Sequence, residues 1–115
     1  ILCKTSNPGS GEFQDLIWEK VAKNVASEWN KNKNCLLVVG ATYPEELKKV
    51  REIVGEMTLL VPGIGAQGGD VEKTVKAGLN SAKAGMIINS SRGIIFAENP
   101  GLEAQKLRDE INKYR

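Results

Sequence analysis

Apolar positions along this chain alternate between two patterns. Short continuous apolar runs occur at Ile1-Leu2-Cys3, Cys35-Leu36-Leu37-Val38-Val39, Thr58-Leu59-Leu60-Val61 and Met86-Ile87-Ile88. The run Cys35 to Val39 shows no alternation with polar residues, as expected for a parallel strand buried on both faces. Between the runs, apolar residues recur every three or four positions. Phe13, Ile17, Val21, Val25 and Trp29, with Leu16 and Ala22 beside them, predict an amphipathic helix of about four turns. Leu47, Val50 and Val54 mark a second buried stripe, Val71, Val75 and Leu79 a third, and Ala104, Leu107, Ile111 and Tyr114 a fourth.

Punctuation supports these boundaries. Thr42-Tyr43-Pro44-Glu45 has capping-box spacing with proline in the first turn, and Gly55 suits a helix end. Asp70 is placed to cap the third helix, and Asn99-Pro100 reads as a cap followed by a first-turn proline. The result is four consecutive strand–helix units, with strands beginning near residues 1, 35, 58 and 86. Such alternation predicts an α/β fold with a parallel sheet and helical crossovers. Ligands then sit beyond the carboxyl ends of the strands. Those ends are Ser6-Asn7, Gly40-Ala41-Thr42, the loop at residues 61–70 and Ser90-Ser91-Arg92.

The loop Val61-Pro62-Gly63-Ile64-Gly65-Ala66-Gln67-Gly68-Gly69-Asp70 stands out, with four glycines and a proline between a strand and a helix start. Backbone amides free of Cβ atoms, next to a helix N-terminus, make a ready phosphate site. The plainer alternative is a tight connection with no ligand. Gly63, Gly65 and Gly68 also satisfy G-x-G-x-x-G, so an NADP-binding oxidoreductase half-domain is an alternative, with Arg92 facing a 2′-phosphate. Two features count against it. Two strand–helix units precede the loop, and Asp70 brings negative charge towards a pyrophosphate. The competing architecture is the second half of a (β/α)8 barrel of ~250 residues, whose phosphate site forms from the loops after its last two strands. Spacing favours that half-barrel, and the abrupt strand-like start at Ile1 suggests a chain cut from something longer.

Composition narrows the chemistry. The chain has 115 residues, 41% hydrophobic and 26% charged, with a formal net charge of +2. These values describe one soluble globular domain at most. Lysines scattered along the helices argue against a nucleic-acid surface. No apolar run approaches a membrane span, and no signal peptide is seen. Cys3 and Cys35 form no C-x-x-C pair and are expected to be reduced thiols of a cytoplasmic protein. The absence of histidine removes Ser-His-Asp and Cys-His nucleophiles and His-based zinc sites from within the chain.

Four strings then carry a resemblance. Thr5-Ser6-Asn7-Pro8-Gly9, Val39-Gly40-Ala41-Thr42, Pro62-Gly63-Ile64-Gly65-Ala66-Gln67-Gly68-Gly69-Asp70 and Asn89-Ser90-Ser91-Arg92-Gly93-Ile94 resemble orotidine 5′-monophosphate decarboxylase, specifically its longer-chain bacterial subgroup. The match runs over essentially the whole chain, in order, along that family's strands five to eight. The resemblance implies the C-terminal (βα)4 half of a TIM barrel over residues 1–115, in an enzyme that forms uridine 5′-monophosphate (UMP) without metal or cofactor, in pyrimidine synthesis. It gives Ser6 a hydrogen bond to the pyrimidine. Gln67 reaches the phosphate and closes the loop of Pro62, Gly63, Gly65 and Gly68 over the ligand. Arg92 pairs with the phosphate beside the amides of Ser91 and Arg92. Without the resemblance, Ser6 reads equally as a turn cap, Arg92 as a surface ion-pair partner, and Gly63 and Gly65 as turn geometry.

One departure matters. The family's D-x-K-x-x-D motif, with its proton-donating lysine, is absent, because no lysine lies two residues after Asp15, Asp70 or Asp109. In the family that motif lies on the first half of the barrel, with one Asp reaching in from the partner of a homodimer. The chain is therefore expected to hold no catalytic residue and to be inactive alone. Half a barrel also exposes two sheet edges, so it is expected to pair with a missing half or to self-associate. A non-catalytic phosphate-binding fragment is the third functional class.

Overall fold

The computed structural model describes residues 1–65 and 68–115. Four parallel strands, β1 (Leu2–Lys4), β2 (Leu37–Val39), β3 (Leu59–Pro62) and β4 (Met86–Asn89), form one sheet in the order β1-β2-β3-β4. They alternate with α1 (Gly11–Asn24, continued by a π-helical turn over Val25–Trp29), α2 (Pro44–Val54), α3 (Val71–Gly78), a short α4 (Ser91–Ile95) and α5 (Pro100–Asn112). All four expected strands form. The short α4 was not foreseen.

Sequential order matters to function. A doubly wound dinucleotide fold reverses strand order and binds its ligand at that switch point. Each strand here is beside its sequence neighbour, so this sheet has no switch point.

The pleat sorts the apolar runs onto two faces. Cys3, Leu37, Val39, Leu59 and Val61 are buried, together with Trp18, Ala22 and Val25 of the first helical segment and Leu47, Val50 and Val54 of α2. The register Leu2↔Val38, Val38↔Leu60, Leu60↔Ile87 sets a second row on the opposite face. Its outer members are open, Leu2 at 65% and Ile87 at 50% exposure.

Two expected stripes need correction. In α1 the buried face is Trp18, Ala22 and Val25, whereas Phe13, Leu16, Ile17 and Trp29 are exposed, Leu16 at 82%. The helix has apolar residues on two sides, and this chain covers only the side that meets β1 and α2. In α5 no residue is buried. Leu107, Ile111 and Tyr114 are half-buried and Ala104 exposed, because the helix runs past the open edge at β4. A cavity of about 360 Å³ lies beneath it, lined in part by Met86, Ile88, Leu107 and Ile111.

The caps divide similarly. Asp70 accepts a hydrogen bond from the Lys73 amide at 2.8 Å, and Asn99 from the Leu102 amide at 3.0 Å, as expected. The Thr42 capping box does not form. Tyr43 is the N-cap of α2, one residue later than the box requires, and Thr42 Oγ1 is buried without a hydrogen-bond partner among the described residues.

Arg51 was not anticipated. This buried arginine of α2 donates to the carbonyls of Gly78 (2.8 Å), Gly55 (2.6 Å), Met57 (2.6 Å) and Gly85 (2.8 Å). It ties the end of α2 to the end of α3 and the start of β4, on the side of the sheet away from the strands' carboxyl ends.

Candidate functional site

At the carboxyl ends of the strands, the loops after all four strands are laced together by backbone and hydroxyl hydrogen bonds. Gly40 N–H donates to Lys4 O at 2.7 Å, joining the ends of β1 and β2. Ala41 N–H donates to Pro62 O at 2.8 Å, and Thr74 Oγ1 donates to Ala41 O at 3.2 Å, joining β2 to β3 and α3. Ser90 Oγ donates to Ile64 O at 3.3 Å, joining the glycine loop to the start of α4.

The glycine loop folds back on itself. Gly69 N–H donates to Gly63 O at 3.2 Å and Gly68 N–H to Gly65 O at 2.8 Å. Gly63, Gly65 and Gly68 take φ values of 104°, 75° and 81°, a left-handed backbone that side-chain-bearing residues adopt only with strain. Turn geometry alone therefore accounts for these glycines, and the same geometry leaves their amides uncovered by Cβ atoms. Gly65 and Gly68 are exposed, and Gly63 is buried. Pro62 closes β3, opposite Asn89 of β4. Gln67 lies outside the described residues.

The next loop carries the cation. Ser91 and Arg92 begin α4, both exposed. Ser91 Oγ accepts from Asn89 Nδ2 at 3.2 Å, which ties the helix start to the end of β4. Among the described residues no carboxylate pairs with Arg92, so the surface ion-pair alternative gains nothing. The guanidinium is an exposed planar fork of donors at the start of α4.

Ser6 stands at the opposite end of the row of loops, half-buried after β1. Gly40 lies opposite it with little room for a side chain. A Cβ on Gly40 would lie 3.1 Å from both Cβ and N of Ser6. The preceding Lys4 is buried at 2% exposure, its ammonium contacting the Asp15 carboxylate and lying 4.5 Å from the Tyr43 ring centroid. Sequence reasoning did not single this lysine out. Nothing in the local pattern distinguishes it, because its partners come from α1 and the loop after β2.

The site thus gathers Ser6, Pro62, Gly63, Gly65, Gly68, Ser91 and Arg92 at one end of the sheet, with cationic and amide donors on the side of β3 and β4. Among the described residues no group of three or more His, Cys, Asp or Glu side chains gathers closely enough to hold a metal ion. No helix among them is long and apolar enough to cross a membrane.

Comparisons with known proteins fit this arrangement. The orotidine 5′-phosphate decarboxylase of Azoarcus sp. (strain BH72) is 52% identical across 100% of this chain and 47% of its own length. That of Bordetella avium (strain 197N) is 52% identical across 100% of this chain and 48% of its own length. The chain therefore spans about half the length of the curated relatives it matches. Among solved structures, Leishmania donovani OMP decarboxylase is similar with a TM-score of 0.90 and 42% identity, over 98% of this chain and 46% of that one. The Methanocaldococcus jannaschii enzyme complexed with inhibitor BMP gives a TM-score of 0.76 and 30% identity, over 96% and 48%. These likenesses make the four strand–helix units a (βα)4 portion of a TIM barrel, and they lend no support to the dinucleotide alternative. Residues 1–107 match the model of the Orotidine 5′-phosphate decarboxylase / HUMPS family, and the chain belongs to that family.

Proposed function

We propose that this chain is the C-terminal half of an orotidine 5′-monophosphate decarboxylase and supplies the grip on the nucleotide's phosphate and part of its base. The observation that carries the reading is the Ser90 Oγ to Ile64 O bond at 3.3 Å, which sets the glycine loop beside the turn bearing Ser91 and Arg92. An arginine fork, loop amides and a serine at strand ends suit a phosphorylated nucleoside better than a neutral metabolite.

In this reading Arg92 and the amides of Ser91 and Arg92 take the phosphate. Ser6 hydrogen-bonds the pyrimidine, and Gln67 bridges the two from a loop that closes over the ligand. Their binding energy is spent on closure and on the transition state at the carbon that loses carbon dioxide. The proton that replaces carbon dioxide comes from a lysine outside this chain, in a D-x-K-x-x-D motif on a complementary half-barrel. That half covers the open row Leu2, Val38, Leu60 and Ile87. The intact enzyme works as a cytoplasmic homodimer on a small nucleotide, without cofactor.

The test is nucleotide binding and turnover in the full-length protein. Arg92→Ala is expected to weaken UMP binding by about ten- to a hundredfold, the loss of a charge-assisted bidentate contact. The 115-residue chain alone is expected to give no ultraviolet change with orotidine 5′-monophosphate. Turnover by the isolated chain, or undiminished UMP affinity in the variant, overturns the reading.

A further inference from the structure

Thr5, the residue before Ser6, is held from three directions by the start of α1. Its amide donates to Gln14 Oε1 at 2.7 Å. Its hydroxyl accepts from Gln14 Nε2 at 3.0 Å and lies 2.6 Å from Asn7 Oδ1. Its carbonyl accepts from Ser10 Oγ at 2.8 Å. Ser10 is the N-cap residue of α1, yet its side chain makes no capping bond and is spent on Thr5 instead. On the other side lies Gly40, where an added Cβ would come within 3.1 Å of Ser6 Cβ and N.

We propose that Gln14 is a positioning residue for base recognition, fixing the Thr5-Ser6 peptide so that the Ser6 hydroxyl meets the pyrimidine at a set distance and angle. The proposal rests on the nucleotide reading above and extends it to α1, an element that carries none of the expected binding residues. A single glutamine amide supplies both an acceptor and a donor to one residue, which fixes position and rotation together. The clamp acts one residue before Ser6, at the end of β1, and holds the amide, hydroxyl and carbonyl of Thr5 together. Preorganisation of this kind is worth most where a hydroxyl must match one orientation of a ring edge.

A structural role and a positioning role predict different patterns. The full-length protein is titrated with UMP, which carries the base, and with ribose 5-phosphate, which lacks it. Gln14→Ala is expected to weaken UMP binding about tenfold, as a lost or misaligned hydrogen bond would. Ribose 5-phosphate affinity should change by less than about twofold. Gln14→Glu keeps the acceptor for the Thr5 amide and is expected to recover most of the preference for UMP. Gly40→Ala, which displaces Ser6 from the opposite side, should reproduce the base-selective loss in a protein whose Gln14 is intact. Equal weakening of both ligands by Gln14→Ala, or unchanged preference for UMP, overturns the inference and leaves the nucleotide reading standing. Failure of the unsubstituted protein to prefer UMP over ribose 5-phosphate overturns that reading, and the inference with it.

Discussion

The two faces of the sheet are built from nearly the same residue types and meet different surroundings. Leu37, Val39, Leu59 and Val61 point into a layer of helices and are fully buried. Leu2, Val38, Leu60 and Ile87 form an equally apolar row on the other face, open at both ends. A parallel strand buried on both faces needs a continuous apolar run, and these strands have one. The chain satisfies half of that demand itself. Its apolar residues on the open face suit cover by a further layer, as the proposed half-barrel reading requires.

The sharpest way to break this comparison is to truncate one residue from each face. Leu59→Ala leaves a cavity under α2 and α3 and is expected to cost about 2–5 kcal/mol, read from urea unfolding. Ile87→Ala in the 115-residue chain should cost less than about 1 kcal/mol, since the side chain is half exposed. In the full-length protein the same change should rise to about 2 kcal/mol or more, as for a buried aliphatic residue. Equal cost in both settings would mean that nothing covers this row.

Next in size is Arg51→Met, which keeps much of the side chain's length and removes four hydrogen bonds to backbone carbonyls. A loss of roughly 2–4 kcal/mol is expected in thermal or urea unfolding, because the carbonyls are left without their charged donor. Arg51 is remote from the strands' carboxyl ends, so the folded fraction of the variant should bind UMP as before. A change in affinity would join two regions that the fold keeps apart.

The smallest effect concerns the thiols. Burial pushes the Cys3 thiol up to about 11, against a weaker lowering pull from the N-terminal ammonium. A thiol reagent near pH 8 is expected to modify half-buried Cys35 promptly and Cys3 only as the protein unfolds. The folded thiol holds its proton more tightly than the unfolded one, so the folded state binds the extra proton between about 9 and 11. Stability from this group is therefore complete below pH 9 and declines as pH rises towards 11. Rapid labelling of both thiols in the native state would place Cys3 on the open side.

Much of the fold was legible in the sequence because its signals are local. Four apolar runs, the Asp70 cap, the Asn99-Pro100 start and Gly55 each act within a few residues of themselves. The specific strings of the strand-end loops were equally legible, and the family match agrees with them. Helix faces were harder. Phe13, Leu16 and Ile17 have helical spacing as good as that of Trp18, Ala22 and Val25, and only the position of β1 and α2 decides which set is covered. Polar side chains were hardest. Gln14, Lys4 and Arg51 look like solvated helix and strand positions until distant carbonyls, amides and carboxylates are brought to them.

What the sequence by itself determined is the alternation of elements, the parallel sheet, the glycine turn and the membership of its motifs in one family. The first three follow from periodicity, positive-φ requirements and cap chemistry, all set by neighbours in the chain, and the last from the resemblance of its strand-end strings to that family. What only the tertiary structure decided is which apolar surfaces are satisfied and which polar side chains hold the loops in place. Those depend on contacts between residues far apart in sequence: 27 positions for Arg51 and Gly78, 26 for Ser90 and Ile64, and 9 for Gln14 and Thr5. A hydrogen bond over such separations leaves no periodic trace in the chain, because either partner alone is an ordinary polar residue.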